Sequence, residues 1–341
     1  MSKPLVLLDP HPRPKDLIFD QETIARLESF AQVEWHDGTS PADAAHIDRW
    51  LPETWALIGQ SPLPAERLAR APKLKVVANV ESNFLPNVDY DECFRRGIHV
   101  IATGPVFAKA VAEMALGLAL SAARRIPQAD AAIRAGTETL YGTGDNHDSI
   151  LLSGKPLALV GCGNLGRALL PLLRGFGGRI MVHDPWIHDS VLREMGVEPA
   201  SLEQCFSEAA CVFILAATTT ENAGGIDRRF FSRMVPGGIV VLASRAGVVN
   251  FEDLLAAAAS GRIRAAIDVW PEEPIPAGFH ARNTPNTVLQ AHRAGNIPEI
   301  WPEMGRLVVD DLELVLRGLP PQRCQRALPG MVDRLRSKPV T

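Results

Sequence analysis

The side chains able to do chemistry in this chain fall in four short stretches. "IDVWPEEPIP" places Asp268, Glu272 and Glu273 close together, with Pro271, Pro274 and Pro276 stiffening the backbone so that the last two acids cannot be mid-helix. "ASRAG" supplies Arg245, and "QAHRAG" supplies His292. Arginine is a permanent cation with a planar fork that fits a carboxylate. Histidine changes charge near neutral pH and can give or take a proton. A carboxylate bonded to the imidazole would orient the ring and stabilise its protonated form.

The fourth stretch is "GCGNLG", with Gly161, Gly163 and Gly166. A bare GxGxxG is weak, but this one follows the apolar run "PLALVG" and opens a helical pattern, which is the context that gives it meaning. Gly161 allows the tight turn, Gly163 lets the backbone approach a pyrophosphate, and Gly166 lets helix and strand pack closely. Asp184 closes the next strand run, about 20 residues on, where a ribose-binding acid is expected. It would repel a 2′-phosphate, and Pro185 and Trp186 follow it rather than an arginine. The expected cofactor is therefore NAD rather than NADP.

The elements that must position these groups alternate along the chain. Strand runs in the first part are "LVLL", "VEW", "ALIG", "KVVANV" and "HVIAT". A second series comprises "PLALVG", "RIMVHD", "CVFILA", "GIVVLAS", "RAAIDVW" and "TVLQAH". Helical segments separate most of them, the pattern of a parallel α/β architecture. Arg245, Asp268, Glu273 and His292 all follow strands of the second series, where open α/β sheets bind their ligands. An Ala-rich helix, "FAKAVAEMALGLALSAARRI", joins the two series, and 135–150 is expected to be a surface loop carrying a lone His147.

Bulk properties restrict the classes. At 341 residues, two domains are expected. With 46% hydrophobic and 22% charged residues the chain is globular, and a net charge of −4 gives no reason to expect nucleic acid. No uninterrupted apolar run of membrane-spanning length is seen, and the apolar core after Met1 is too short for a signal peptide. Five cysteines form no CxxC pair and their number is odd, so free thiols in a reducing, cytoplasmic setting are expected, and no metal site.

Over nearly its whole length the chain resembles the D-isomer-specific 2-hydroxyacid dehydrogenases, through "KAVAEMALGLALSAARRIP", "VGCGNLG", "MVPGGIVVLASRAGVVN", "AIDVWPEEP" and "VLQAHRAG". The resemblance implies two doubly wound parallel-sheet domains: an NAD-binding Rossmann domain, 103–292, inserted into a flavodoxin-like substrate domain, 1–102 and 293–341. The cleft between them is expected to close on substrate, a small 2-hydroxy or 2-oxo acid. By resemblance Arg245 binds the substrate carboxylate, His292 is the acid–base group, Glu273 is its partner and Asp268 faces the nicotinamide carboxamide. Asn164, Leu165, Ala217, Thr218 and Ser244 complete the expected cofactor contacts, and the Ala-rich helix is the expected homodimer surface, though an internal bridging role would look the same.

The chain departs from that family at Leu242, Ala246 and Ala291, where relatives usually have Asn, Gly and Pro. Ser82-Asn83-Phe84 stands in place of the Gly-x-Gly of the substrate loop and puts the Ser82 and Phe84 side chains where that loop is normally bare in relatives. Either the loop is rearranged with its side chains in solvent, or Ser82 and Asn83 contact substrate. Glu81 would then disfavour a second negative charge, and neutral polar 2-oxo acids would be preferred. Glu273 argues against the formate dehydrogenases of this fold, and the regulatory domain of many phosphoglycerate dehydrogenases is not expected. The rival reading, from another class, is an NAD(H)-sensing binding protein akin to dehydrogenase-related corepressors.

Overall fold

In the computed structural model, which describes residues 3–138 and 148–335, the chain forms two parallel-sheet α/β units. The first comprises Met1–Phe107 and Ile297–Thr341, the second Ala108–Asn296. Residues 139–147 of the expected surface loop, His147 among them, lie outside the described residues.

The first unit contains β1 (Leu5–Asp9), β2 (Gln32–Trp35), β3 (Thr54–Gly59), β4 (Val76–Asn79), β5 (His99–Ala102) and, from the C-terminal part, β13 (Gln325–Arg326). Their order is β13-β5-β4-β3-β1-β2, so the five N-terminal strands show the 2-1-3-4-5 arrangement of flavodoxin-like sheets. β1 and β4 are buried along their whole length, as strands covered on both faces must be. The helix Gln21–Phe30 is capped by Asp20, whose carboxylate accepts the Thr23 N–H. The helix Trp301–Leu316 packs Met304, Val308 and Leu312 into the core of this unit.

The second unit contains β6 (Leu157–Val160), β7 (Ile180–His183), β8 (Glu198–Pro199), β9 (Cys211–Ile214), β10 (Gly238–Leu242), β11 (Ile263–Ile267) and β12 (Thr287–Leu289). The order β8-β7-β6-β9-β10-β11-β12 is the 3-2-1-4-5-6 Rossmann arrangement with one strand added, and its direction reverses between β6 and β9. Register aligns the carboxyl ends: His183, Val160, Ile214, Leu242, Ile267 and Leu289 form one row. Every chemistry-bearing residue of the second series lies just past this row.

The expected pair of parallel-sheet units is present, and within the first of them the two-residue edge strand β13 pairs antiparallel with β5. Two-residue edge strands such as β8 and β13 carry too little pattern to be read from sequence. Gly104–Arg124 is long and apolar enough to cross a membrane by length and composition, although Lys109 and Glu113 interrupt its apolar residues. The same small residues that raise its hydropathy are buried: Ala112, Ala115, Ala119 and Ala123 let Ala108–Arg124 lie close against the helix Asn164–Arg174 and against β10 and β11. Its buried residues face the core of this unit, while Lys109, Glu113, Gly117 and Arg124 are exposed along it. The apolar residues left outside are on the next helix, Ile126–Ala135, which buries none of its residues and exposes Ile126 and Ile133.

Candidate active site

The Gly-rich turn joins β6 to the helix Asn164–Arg174. Gly161 has φ +93°, and a Cβ there would meet the backbone nitrogen of Ala216 at 2.6 Å. A Cβ on Gly166 would sit 2.7 Å from the Gly161 carbonyl oxygen, which is the close helix–strand approach expected of the third glycine. Gly163 differs: nothing lies within 4 Å of where its Cβ would be. Gly163 also caps the helix without a side chain, so Asn164 and Leu165 open an eleven-residue helix whose first N–H groups have no side-chain cap. Open space before an uncapped helix N-terminus suits a pyrophosphate.

Asp184 sits one residue past β7. Its Oδ2 accepts the Cys162 N–H at 2.7 Å and its Oδ1 accepts the Trp186 N–H at 2.9 Å. The carboxylate therefore ties the end of β7 to the Gly-rich turn, a link the sequence did not reveal. Beyond β9, the Ala217 carbonyl takes the Asn222 side-chain amide at 2.9 Å, and Thr218 Oγ1 is buried with no hydrogen-bond partner among the described residues. A buried hydroxyl without a partner is costly unless a ligand completes it. These features fit a dinucleotide, with Gly163, Asn164, Asp184 and Thr218 as the residues that would hold it.

At the three neighbouring strand exits stand the acid–base groups. Ser244 is buried beyond β10 and its Oγ donates to the Ile214 carbonyl at 3.2 Å. Arg245 follows, and its Nη1 donates to the Ser244 carbonyl at 2.7 Å. Past β11, Glu273 is pinned by the backbone N–H of Trp270, which donates to Oε1 at 3.0 Å. Its other oxygen lies 2.6 Å from Nδ1 of His292, so the structure brings the expected acid and histidine together. The Trp270 indole donates to the Gln290 carbonyl at 2.7 Å, bracing the same segment from the other side. Sequence reasoning missed Trp270, although an aromatic between two functional acids was a usable signal.

Asp268 is fully buried and holds the histidine loop rather than standing apart from it. Its carbonyl accepts the His292 N–H at 2.7 Å, and its Oδ1 accepts the Arg293 N–H at 3.1 Å. Burial raises its pKa, opposed chiefly by the Arg293 hydrogen bond and by the charge of His292. This backbone anchoring keeps His292 at φ +51°, a conformation uncommon for a residue with a side chain. Glu272 is exposed.

The substrate-loop residues lie in the first unit, just past β4. Ser82 is half-buried and Asn83 exposed, whereas Phe84 turns inward, 3% exposed, and meets Tyr90 edge-on with ring centres 6.4 Å apart. The expectation of a bulky Phe84 standing where the loop is normally bare is thus corrected, because an aromatic gains about 3 kcal/mol or less by burial and the core beneath had room for it. Glu81 is not a lone charge either: Arg13 pairs with it through both guanidinium nitrogens. At the other departures from the family pattern, Leu242 is a core residue and Ala246 is buried in the turn after Arg245.

A Rossmann sheet with a glycine-rich phosphate turn and an acid–histidine pair at its exits defines a dinucleotide-dependent dehydrogenase architecture. The chain belongs to the D-isomer specific 2-hydroxyacid dehydrogenase family, and residues 116–294 match that family's NAD binding domain. It is 32% identical to the D-3-phosphoglycerate dehydrogenase of Mycobacterium tuberculosis over 324 residues, which are 93% of this chain but 58% of that protein. It therefore spans little more than half the length of that relative. With the glyoxylate reductase of Korarchaeum cryptofilum it shares 31% identity over 87% of this chain and 91% of the other. The crystal structure of a phosphoglycerate oxidoreductase from Rhizobium etli superposes with a TM-score of 0.85 at 45% identity, covering 96% of this chain and 99% of that one.

Proposed function

We propose that the chain is an NAD-dependent oxidoreductase that interconverts a D-2-hydroxy acid and its 2-oxo acid. The observation that carries this reading is the His292–Glu273 pair, 2.6 Å apart, leaving the same edge of the sheet as Arg245 and the Gly-rich turn. The names of the relatives, a glyoxylate reductase and a D-3-phosphoglycerate dehydrogenase, support the substrate class.

The roles follow from the side chains. Arg245 carries a charge that no working pH removes, and its fork suits the substrate carboxylate. Glu273 takes the Nδ1 side of the imidazole, which leaves Nε2 to give a proton to the carbonyl oxygen in reduction and to take one from the hydroxyl in oxidation. Asp268 and Trp270 hold that loop in place through backbone and indole hydrogen bonds. Bound NAD(H) would accept or supply the hydride at substrate carbon 2. Asp184 supports a preference for NAD over NADP, since a second negative group beside it would be repelled.

We also assign the chain to a reducing, cytoplasmic setting, supported by five buried cysteines with no disulfide. A homodimer is the favoured assembly, and the exposed Ile126, Ile133 and Leu151 support a surface that includes the segments next to the Ala-rich helix.

Incubation of the purified protein with NADH and a panel of 2-oxo acids tests the reading, with oxidation followed at 340 nm as an ordinary NADH assay. Turnover of at least one acid is expected. NADH binding without turnover of any would favour the sensing protein instead.

A further inference from the structure

We infer that Arg13 is a specificity-determining positioning residue: by neutralising Glu81 it makes the Val80–Phe84 segment tolerant of dianionic 2-oxo acids. The inference rests on the reading of the chain as a 2-oxo acid reductase, and it reverses what Glu81 alone would suggest.

The segment follows β4 at the carboxyl edge of its sheet, the side on which open α/β sheets bind ligands. Its backbone is held at several points. The Glu81 carbonyl accepts the Thr103 N–H at 2.9 Å and the Thr103 hydroxyl at 3.2 Å. The Ser82 carbonyl abuts Gly104 so closely that a Cβ there would lie 2.7 Å away. Phe84 is anchored in the core. With the main chain fixed at both sides, the Glu81 side chain has a fixed origin at this edge, and Arg13 holds its carboxylate.

Arg13 meets that carboxylate with both arms, Nη1 on Oε1 and Nη2 on Oε2, the latter at 3.3 Å. The other face of the guanidinium lies over the Trp301 ring, 5.3 Å from its centre. The side chains are only 16% and 25% exposed, so solvent screens the pair incompletely. Arginine suits this place better than lysine, because the planar fork satisfies both oxygens while its face stacks on the indole. A carboxylate held this dry without a partner would oppose an approaching anion, and the opposition would double for a dianion. With Arg13 in place the pair presents no net charge.

Opposite signs in two variants separate this charge role from a purely structural one. KM and kcat would be measured for glyoxylate, a monoanion, and oxaloacetate, a dianion, with NADH saturating. Arg13→Met should raise KM about fivefold for glyoxylate and about 25-fold for oxaloacetate, with kcat within about twofold, since the repulsion scales with ligand charge. Glu81→Gln should lower both, because the arginine is then unopposed, and the double variant should return near the wild-type ratio. Added salt should shrink the Arg13→Met effect. Arg13→Lys keeps the charge and should hold the ratio near wild type even if its melting temperature falls. If Arg13→Met and Glu81→Gln shift KM in the same direction by similar factors, the pair only holds the loop and the inference is overturned. A wild-type protein that turns over glyoxylate but takes oxaloacetate with a KM more than about 100-fold higher overturns it too. A wild type inert toward every 2-oxo acid overturns the reductase reading, and this inference falls with it.

Discussion

Nδ1 of His292 and Oε2 of Glu273 are 2.6 Å apart, although the residues belong to the exits of different strands. The contact settles which imidazole nitrogen faces away from the acid, and it gives the carboxylate an electrostatic task. The protonated ring is the form that donates in ketone reduction, and the carboxylate holds that ring in place. Glu273→Gln keeps the shape and removes the charge, and kcat/KM for reduction should fall by about tenfold. Steady-state kinetics with a 2-oxo acid and NADH check this; an unchanged kcat/KM would mean that the carboxylate charge has no part in the reaction.

Arg245→Ala and His292→Ala should each lower kcat/KM by about 100-fold or more, the scale of a lost general acid or a lost charge clamp. NADH affinity, read by fluorescence titration, should change by no more than about threefold. The separation is expected because both side chains are assigned to substrate while the Gly-rich turn, Asp184 and Thr218 are assigned to the dinucleotide. Near-wild-type turnover in the arginine variant would sink the assignment.

The strands and the motif residues were legible because parallel strands buried on both faces must be written as continuous apolar runs, as in "LALV" and "GIVVL". The exits of those strands then located Arg245, Asp268, Glu273 and His292 without any contact being known. What stayed hidden are relations between residues far apart in the chain. Arg13 and Glu81 are 68 residues apart and carry no period that would join them, so Glu81 read as a bare charge. The inward turn of Phe84 depends on Tyr90 and the core of its own unit, again a packing fact with no local trace. The Asp184 link to Cys162 N–H is hidden for a further reason: one partner is a backbone group, which no residue type announces.

The assembly can be tested on the helix that the core does not use. Ile133 is 66% exposed and Leu151 68% exposed. Ile133→Glu combined with Leu151→Glu should convert a dimer to a monomer in light scattering, with the melting temperature of the isolated fold lowered by only a few degrees at most, since surface substitutions away from packed features change stability by about 0.5 kcal/mol. An unchanged molar mass would place the dimer surface elsewhere.

Two glycines of one motif should fail in opposite ways. Gly161 has φ +93° and no room, because a Cβ would lie 2.6 Å from backbone that cannot move aside. Gly161→Ala should therefore destabilise the protein by about 3 kcal/mol or more, combining left-handed strain with a steric clash. Gly163 has φ −71°, which any residue adopts, and open space where its side chain would go. Gly163→Ala should melt within about 1 °C of wild type, as expected when no contact is broken. Yet the space it fills is the one assigned to the pyrophosphate, so NADH affinity should drop at least about tenfold. In the same titrations NADH should be preferred to NADPH, and Asp184→Ala should narrow that preference while leaving the Cys162 N–H without its acceptor. Thermal melts and NADH titrations on the two alanine variants decide the matter. Equal affinity in wild type and Gly163→Ala would show that the dinucleotide does not pass over this turn, and preference for NADPH would show that Asp184 serves only the Gly-rich turn it is bonded to.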